Sequence, residues 1–397
     1  MKVLIISQYY KPDITAAAFR ISETVSGLKE KNIDVHVITS TPHKSQKVYN
    51  LDSLDDNITR IKIPYFKKQT KYKYVYQYFR FLVGSSIAAL RLKKTFNYDL
   101  IFASSPPITI AFTAFIVKYF SRKPLVFDIR DIWPDSAAAI GKLKEKSLIY
   151  RFFKYVEKFI YKKADHITCV AKPMSEYIEN INKKKNVHVI YNGVSNNLLK
   201  NNLNHSSSNQ KNFVFTYAGN IGYAQNLSIV LIAFSKFLKS QNSPICIFQI
   251  VGNGPEKDNI ITLIKELEIS NNVLLIDEVP KSEIQAVLHK SDVLVIPLVS
   301  SKIFELTIPS KVFDYLSFGK PVLATIKGEG KKILKKNSAN IVTKIDEESL
   351  AKAFVEIYEN YDKYNNFAYK NIELAKDYSR DKSTELLVKI FKEVSYK

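Results

Sequence analysis

The sequence predicts an α/β protein with two doubly wound parallel sheets, one in each half of the chain. Short apolar runs such as VLIIS, VHVIT and DLIFAS alternate with longer segments of helical period, which is typical of βαβ units. The chain has 397 residues, more than one hydrophobic core usually supports. Two domains of about 200 residues each are therefore expected.

The predicted elements follow one another along the chain. Apolar runs from VLIIS to PLVFDIR, with helical patterns near residues 17–31 and 107–120, predict the first sheet. The runs FVFTYAG, ICIFQIVG, NVLLID, VLVIPL and PVLAT predict the second sheet. We predict a first domain, an Asn/Ser-rich linker, a second domain and an amphipathic C-terminal helix, over residues 1–195, 196–212, 213–377 and 378–397.

The net charge of the protein is +21, and most of it lies in the first half. Residues 1–200 carry 34 Lys and Arg against 16 Asp and Glu, whereas residues 201–397 carry 25 against 22. Such asymmetry favours a polyanionic partner surface, either nucleic acid or anionic lipid headgroups. Composition by itself leaves both open.

No segment of the sequence predicts a transmembrane helix. The N-terminal MKVLIIS is too short for a signal-peptide core and is typical of a first buried strand. The longest uncharged run, residues 100–117, contains Pro106 and Pro107 and divides into a strand and a helix. We therefore expect a cytoplasmic protein.

Two glycine-rich turns follow predicted strands of the second domain. Ligands of open α/β sheets bind beyond the carboxyl ends of the strands, where GNIG (Gly219 to Gly222) and GNGP (Gly252 to Pro255) are located. Their glycines allow the backbone to approach a diphosphate closely. A tight βα turn that requires positive φ explains either motif equally well.

The segment IPSKVFDYLSFGKPV is the most specific motif of the second domain. Pro309 suits the first turn of a helix, which leaves the amides of Ser310 and Lys311 free for an anion. Lys311 adds a positive charge, and Asp314 lies three residues further on the same helical face, within reach of a ribose hydroxyl. The alternative is an ordinary capped αβ unit.

The segment FDIRDIWPDS places four charged residues at or just beyond the end of a buried strand. They are Asp128, Arg130, Asp131 and Asp135. Burying several charges is costly, which favours a functional cluster. A network of salt bridges that supports a loop is the alternative.

Residues 60–94 contain ten Lys and Arg residues, no acidic residue and many Tyr and Phe residues. This mixture fits a membrane interface, where rings lie at headgroup level and basic groups meet anionic lipid. Single-stranded nucleic acid, or a solvated basic face with a buried aromatic side, are the alternatives. No recognised nucleic-acid module accompanies the segment, so we favour the membrane and expect no nucleic acid. The residues expected at the interface are Tyr72, Tyr74, Tyr76, Tyr78 and Phe79.

The motifs QYYKPDITAAAFR, SSPPIT, FDIRDIWPDS, YAGNIGYAQNL, VGNGPEK and IPSKVFDYLSFGKPV, in this order, resemble those of the family 4 glycosyltransferases. The resemblance is strongest for the bacterial subgroup that builds O-antigen and capsule repeat units, including transferases of N-acetyl-fucosamine type. It implies a GT-B fold, with two Rossmann-like domains facing a cleft and a C-terminal helix returning to the first domain. It also implies a nucleotide-sugar donor held mainly by the second domain, an acceptor held by the first, retention of anomeric configuration and catalysis without a metal.

The sequence departs from the family pattern at the donor sugar. Many members carry two glutamates separated by seven residues. Asp314 stands at the second of these positions, and Leu306, next to Glu305, stands at the first. Glu329, in the following KGEGKK loop, is a substitute candidate for recognition of the donor sugar.

The sequence also departs from the pattern at charged positions of both domains. Asn220 and Gln225 replace a basic pair that often follows the first strand of the second domain, which shifts neutralisation of the phosphates toward Lys311. In the first domain, Arg130 precedes Asp131 where many relatives have a histidine before the aspartate. This changes the expected chemistry on the acceptor side.

The residues and the resemblance together predict transfer of an N-acetylated hexosamine or deoxyhexosamine from a UDP-sugar to a lipid-diphosphate-linked acceptor. The protein is expected to bind peripherally to the inner face of the cell membrane and to need no cofactor and no metal. Asp131 and Arg130 are assigned to the reaction centre or the acceptor. The predicted donor-site residues are Asp314 at the ribose, Ser310, Lys311 and Gly222 at the diphosphate, Gly252 and Val279 at the base, Glu329 at the sugar, and Gly219, Asn220, Gln225 and Gly254 in the surrounding turns.

Two other functions fit the same fold prediction. A UDP-sugar 2-epimerase shares the architecture and would turn over the donor without any acceptor. A nucleotide-sugar-sensing module would bind the donor without turnover. The basic aromatic segment favours the transferase, because a soluble epimerase has no need of a membrane-facing surface.

Overall fold

A computed structural model describes residues 1–13, 15–42, 57–64, 66, 70–183, 186–195, 198–199, 212–241 and 245–395. The chain divides into two compact units. One contains Met1–Asn192 and Arg380–Lys397, and the other contains Gly193–Ser379. Each unit has a parallel sheet with helices, so the predicted fold class is confirmed.

The described residues of the first unit form a seven-stranded parallel sheet in the order β3-β2-β1-β4-β5-β6-β7. Residues 3–6 of the central strand β1 are fully buried, which explains the continuous apolar run VLII. The order reverses between β1 and β4, where a crevice opens beyond the carboxyl ends of the strands. The strands are β1 (Lys2–Ile6), β2 (Asp34–Ser40), β3 (Ile58–Ile61), β4 (Leu100–Ser104), β5 (Leu125–Ile129), β6 (His166–Cys169) and β7 (Val187–Val189).

Several helices of the first unit begin at hydroxyl residues that cap their free amides. Thr15 accepts a hydrogen bond from the amide of Ala18, and Ser147 accepts one from the amide of Tyr150. The helices are α1 (Ala16–Glu30), α2 (Lys71–Thr95), α3 (Ile110–Ser121), α4 (Asp135–Ala139), α5 (Leu148–Lys163) and α6 (Lys172–Asn182).

The described residues of the second unit form a six-stranded parallel sheet in the order β10-β9-β8-β11-β12-β13. The order reverses between β8 and β11, so the crevice of this sheet lies beyond the carboxyl ends of those two strands. The strands are β8 (Phe213–Ala218), β9 (Cys246–Val251), β10 (Val273–Ile276), β11 (Val293–Pro297), β12 (Val322–Thr325) and β13 (Ile341–Val342).

An aromatic core holds the helices of the second unit against its sheet. The ring of Phe215 in β8 lies 4.9 Å from that of Phe354, edge to face, and both side chains are fully buried. The helices are α7 (Leu227–Ser240), α8 (Lys257–Glu266), α9 (Lys281–Lys290), α10 (Lys302–Glu305), α11 (Ser310–Leu316), α12 (Gly328–Leu334), α13 (Glu347–Glu359), α14 (Tyr361–Ala368) and α15 (Lys370–Lys376).

The C-terminal helix α16 (Arg380–Ser395) belongs to the first unit, as predicted. It buries Leu387, Ile390 and Phe391, and the ring of Phe391 lies 5.4 Å from that of Phe102 in β4. Most of the predicted linker, 196–212, lies outside the described residues. Within the described part of the chain, no helix combines the length and apolar character needed to cross a membrane.

Candidate functional site

The loops after β8 and β11 meet at the crevice of the second sheet. Gly219 follows β8 directly, and a short 3₁₀ turn, Tyr223–Gln225, comes next. The amide of Val299, in the loop after β11, donates a hydrogen bond to the carbonyl of Ala224 at 2.9 Å. Helix α11, which carries Lys311, contacts β11.

Lys311 lies directly against Gly219. Its ammonium nitrogen is 5.1 Å from the centre of the Tyr217 ring and would be 2.4 Å from a Cβ atom built on Gly219. Burial lowers the pKa of Lys311, and the charge of Asp314 opposes that shift. The half-buried cation of Lys311 therefore lies at the switch point of the sheet, where the strand order reverses between β8 and β11. An anionic ligand would bind at this point.

Helix α11 is fixed to the end of β8 by Tyr315. Its hydroxyl accepts a hydrogen bond from the amide of Ala218 at 2.8 Å, and the side chain is almost fully buried. The hydroxyl of Tyr217 donates to the carbonyl of Asn220 at 2.6 Å. Sequence reasoning missed both tyrosines, although Tyr315 lies one helical turn after Lys311 and Tyr217 stands two residues before Gly219.

The start of α11 differs by one residue from the prediction. Pro309 is the N-cap residue rather than part of the first turn, and its carbonyl accepts from the amide of Val312 at 3.0 Å. Ser310 is the first helical residue and is exposed. Asp314 lies one turn further along and is half-buried. The structure thus brings Lys311 and Asp314 to one helix face.

Gly252 and Gly254 allow two βα turns to pack backbone against backbone. A Cβ atom on Gly252 would lie 2.0 Å from the carbonyl oxygen of Gly219, and one on Gly254 would lie 2.2 Å from that of Ile221. The amide of Ile221 also donates to the carbonyl of Asn253 at 2.9 Å. Packing accounts for these two glycines, and a role in binding the base stays a prediction.

Asn220, Gly222 and Gln225 come together beside Gly219. The Asn220 side-chain amide donates to Oε1 of Gln225 at 3.4 Å, and a Cβ atom on Gly222 would meet that amide at 2.5 Å. Neutral groups therefore stand in this turn, and Lys311 supplies the positive charge next to it.

Glu329 is buried in the first turn of α12. Gly328, at φ +65, packs against the backbone of Glu305, whose carbonyl oxygen a Cβ atom there would meet at 2.3 Å. The structure therefore places Glu329 next to the segment of Glu305 and Leu306. Val279 is half-buried in the loop after β10, two strands away from β8.

In the first unit, Asp128 belongs to a buried structural network. Its carboxylate accepts hydrogen bonds from the hydroxyls of Ser104 and Thr168, each at 2.8 Å. Arg20 approaches the same carboxylate at 3.4 Å. These contacts tie β4, β5, β6 and α1 together, which matches the salt-bridge alternative for this residue.

Asp135 also belongs to a structural network. It accepts from the hydroxyl of Tyr150 and pairs with Lys154. Lys154 pairs in turn with buried Glu157 at 2.5 Å, and Tyr177 donates to Asp135 at 3.3 Å. The network joins α4, α5 and α6.

Asp131 is the acid of the cluster that faces open space. It lines a cavity of about 190 Å³ together with Ser105, Trp133 and Phe153. The hydroxyl of Ser136 donates to its carboxylate at 2.8 Å. Burial raises the pKa of Asp131, against the effect of this hydrogen bond. Such a carboxyl is suited to proton transfer.

Arg130 precedes Asp131, and its guanidinium group is not fully hydrogen-bonded. Among the described residues, its buried Nε–H has no hydrogen-bond acceptor. Burial and the nearby charge of Arg20 lower the pKa of Arg130 to about 9, and Asp128 opposes the shift. An arginine in this state is suited to an anionic ligand.

The basic aromatic segment forms helix α2 from Lys71 onward, and this helix presents an apolar stripe outward. Tyr72 is 88% exposed, and Val75, Tyr76 and Phe79 are also exposed. Tyr78 is half-buried and lines the Asp131 cavity, and its place at an interface stays a prediction. Lys67 and Lys68 lie outside the described residues, as does the side chain of Lys71.

Two family models match the chain in succession. Residues 17–197 match Glycosyltransferase Family 4, and residues 199–374 match Glycosyl transferases group 1. Among curated proteins, the chain is 23% identical over 237 residues to a protein described as "Probable glycosyltransferase WbjE" from Pseudomonas aeruginosa. That alignment spans 58% of this chain and 58% of the relative, less than two thirds of its length.

Solved structures share the fold over almost the whole chain. Sucrose-phosphate synthase from Thermosynechococcus elongatus superposes with a TM-score of 0.77 at 13% identity, covering 99% of this chain and 98% of that one. Anabaena Alr3699/HepE in complex with UDP-glucose superposes with a TM-score of 0.72 at 14% identity, covering 99% and 100%.

A protein described as a candidate UDP-N-acetylglucosamine 2-epimerase from Listeria monocytogenes is more distant. It has a TM-score of 0.61 at 12% identity, covering 98% of this chain and 95% of that one. At such identities these likenesses establish the fold. The two family matches, one on each unit, show that both units are similar to glycosyltransferase domains, and the likeness to solved structures shows that the chain has the GT-B fold.

Proposed function

We propose that this protein transfers a sugar from a UDP-sugar to a lipid-diphosphate-linked acceptor at a membrane surface, with retention of anomeric configuration. The sugar is an N-acetylated hexosamine or deoxyhexosamine, and the pathway is the assembly of O-antigen or capsule repeat units. The observation that carries the proposal is the half-buried ammonium of Lys311 against Gly219.

The donor binds at the crevice between β8 and β11. Lys311 neutralises the diphosphate and stabilises the negative charge that develops when the glycosidic bond to UDP breaks. Asp314, one turn along α11, accepts a hydrogen bond from the ribose, and Glu329 contacts the sugar. The complex of HepE with UDP-glucose supports a donor of this class. With this charge compensation in place, catalysis proceeds without a metal.

The acceptor binds to the first unit near Asp131 and Arg130. The raised pKa of Asp131 supports a role in accepting the proton of the attacking hydroxyl. Arg130 lies next to it in the sequence, and its guanidinium brings a positive charge to this side of the first unit for a phosphate of the acceptor. Asp128 and Asp135 hold the loops on either side and have no direct part in the reaction.

The first unit docks on anionic lipid through α2. The exposed aromatic and aliphatic side chains of this helix alternate with Lys73, Arg80, Arg91 and Lys94, without an acidic residue. This pattern supports peripheral binding to the inner face of the cell membrane.

The test is a transfer assay with labelled UDP-sugars and a sugar diphosphate that carries an isoprenoid tail. We expect label to move to the acceptor, and Lys311→Ala to abolish most of this transfer. Epimerised UDP-sugar in a reaction without acceptor would identify the epimerase instead. Binding of UDP-sugars without either product would identify the sensing module and refute the proposal.

A further inference from the structure

The cavity beside Asp131 in the first unit has a strongly apolar wall. It lies between the carboxyl ends of β4 and β5 and the inner faces of α2 and α5. Trp133, Phe153 and Ile160 form much of this wall, and the ring of Trp133 lies 4.3 Å from that of Phe153. A mainly apolar cavity favours a hydrocarbon ligand over a sugar or a nucleotide.

The charges in the wall exclude a diphosphate from the cavity. Among the described residues, no Lys or Arg lines it. Its two acids are Asp131, which accepts from Ser136, and Glu157, which pairs with Lys154 at 2.5 Å. A diphosphate would gain no cation there and would lie close to the carboxyl group of Asp131, so only the apolar part of a lipid diphosphate fits.

Helix α5 is apolar on both of its faces. Its inner face contributes Phe153 and Ile160 to the cavity. Its outer face exposes a row of large apolar side chains, Leu148, Ile149, Phe152, Tyr155 and Phe159, with Leu148 81% exposed and Tyr155 70% exposed. An amphipathic helix that covers a protein core leaves its outer face polar. The outer face of α5 therefore suits contact with lipid.

The charges around this outer face fit an anionic membrane. The exposed charged residues of α5 are Arg151, Lys158, Lys162 and Lys163, and Glu157, its single acid, is buried. Helix α3 connects α5 to α2, since Phe115 packs on Phe159 at 5.3 Å and Thr113 hydrogen-bonds Ser85 at 3.1 Å. The outer faces of α2 and α5 thus belong to one side of the first unit.

We propose that the cavity between α2 and α5 holds the first part of the hydrocarbon chain of a lipid-diphosphate acceptor, whose diphosphate stays outside it. This inference rests on the proposed function, because it assigns the acceptor's tail to a site next to Asp131. The chain enters from the lipid side, past α5. The diphosphate and the reacting sugar lie outside the cavity, at the strand ends where Asp131 stands.

Trp133 gives a direct readout of occupancy, because it is the single tryptophan of the chain and lines the cavity. The purified protein is titrated with farnesyl diphosphate below its micelle-forming concentration and without vesicles. We expect a saturable shift of Trp133 emission with farnesyl diphosphate and no shift with inorganic diphosphate. Equal responses to both would overturn the proposal.

Two variants of α5 separate the cavity from the outer surface. Ile160→Phe fills the cavity and should weaken farnesyl diphosphate binding by about tenfold. Tyr155→Ser, on the exposed face, is the matched control and should bind as the wild type does. Binding lost in the control and kept in Ile160→Phe would place the chain on the outer face and overturn the proposal.

A labelling experiment on the wild type covers the case in which Ile160→Phe does not fold. A farnesyl diphosphate analogue with a photoreactive group in its chain should label peptides with residues 105–109 or 153–161. Labelling confined to other peptides would refute the cavity assignment.

The proposal can fail separately from the proposed function. If transfer to an acceptor without a tail is as efficient as transfer to the farnesyl acceptor, the cavity assignment is refuted and the transferase function stays intact. Farnesyl binding without any transfer would count against the proposed function alone.

Discussion

The ammonium group of Lys311 fills the space that a Cβ atom on residue 219 would need, at 2.4 Å from its position. Gly219 also has φ +142, a conformation that other residues rarely adopt. The contact joins the first turn of α11 to the end of β8 and places a positive charge at the switch point of the sheet. It makes a glycine a structural requirement at position 219 of the candidate site.

Replacing Gly219 with alanine should displace Lys311 and strain the turn. We expect Gly219→Ala to lower the free energy of unfolding by about 1–3 kcal/mol and to weaken UDP binding measured by calorimetry. Gly141→Ala is the control, since Gly141 also has positive φ but no atom lies within 4 Å of its Cβ position. If both variants bind UDP as the wild type does, Lys311 does not need this contact.

Asp314→Ala should weaken UDP binding by about 1–3 kcal/mol, because a buried hydrogen bond to the ribose would be lost. UDP titration of the folded variant measures the effect. Asp362→Ala, in α14 of the same unit, serves as a control for a general change of charge. Unchanged UDP affinity in the folded Asp314→Ala protein would remove the ribose assignment.

Asp131→Asn should abolish most transfer and change its pH dependence. A carboxylate base is active when deprotonated, so kcat/KM of the wild type should rise as pH increases through the raised pKa of Asp131. The residual activity of Asp131→Asn should lack this rise, while UDP binding stays normal. A pH profile identical in both proteins would show that another group titrates.

The same substitution should stabilise the fold at neutral pH. A carboxyl whose pKa is raised by folding favours the folded state at low pH and opposes it once pH exceeds that pKa. Asp131→Asn should therefore be more stable than the wild type at pH 7, and the difference should shrink as pH falls. Asp128→Asn should be destabilised, since Asp128 accepts from Ser104 and Thr168. Unfolding by urea at several pH values measures both effects.

Transfer should survive exhaustive chelation, because in the proposed donor site Lys311 and backbone amides would neutralise the diphosphate. The transfer rate with EDTA should equal the rate without it. A loss of activity that Mg²⁺ or Mn²⁺ restores would contradict the proposed mechanism.

Replacing Lys67, Lys68, Lys71 and Lys73 with glutamate should release the protein from anionic vesicles. Each Lys near such a surface contributes about 1 kcal/mol, so reversing four of these charges should weaken binding to anionic lipid strongly. UDP binding in the second unit should stay intact. The same change at Lys331 and Lys332 of α12 and at Lys335 and Lys336 directly after it is the control. Continued sedimentation of the first variant, or a preference of the wild type for single-stranded nucleic acid, would refute membrane docking.

The two parallel sheets could be predicted because the period of apolar residues is a local property of the sequence. The runs VLIIS and FVFTY became β1 and β8, and the glycine turns and Lys311 followed strands where the pattern placed them. The polar residues after these strands were candidates for the same reason, since strand ends of one parallel sheet share an edge. The sequence by itself therefore determined the fold class and the neighbourhood of the candidate site.

Only the tertiary structure decided what each candidate residue contacts. Asp128 and Asp131 are three residues apart in the sequence. Thr168 donates a hydrogen bond to Asp128 and Arg20 pairs with it, whereas Asp131 lines a cavity. Position 252 requires a glycine because the carbonyl of Gly219 occupies the space that a Cβ atom would need. No local sequence pattern reveals this contact. Burial and hydrogen bonding depend on residues far apart in the chain, and these meet only when the sheet and its helices are packed.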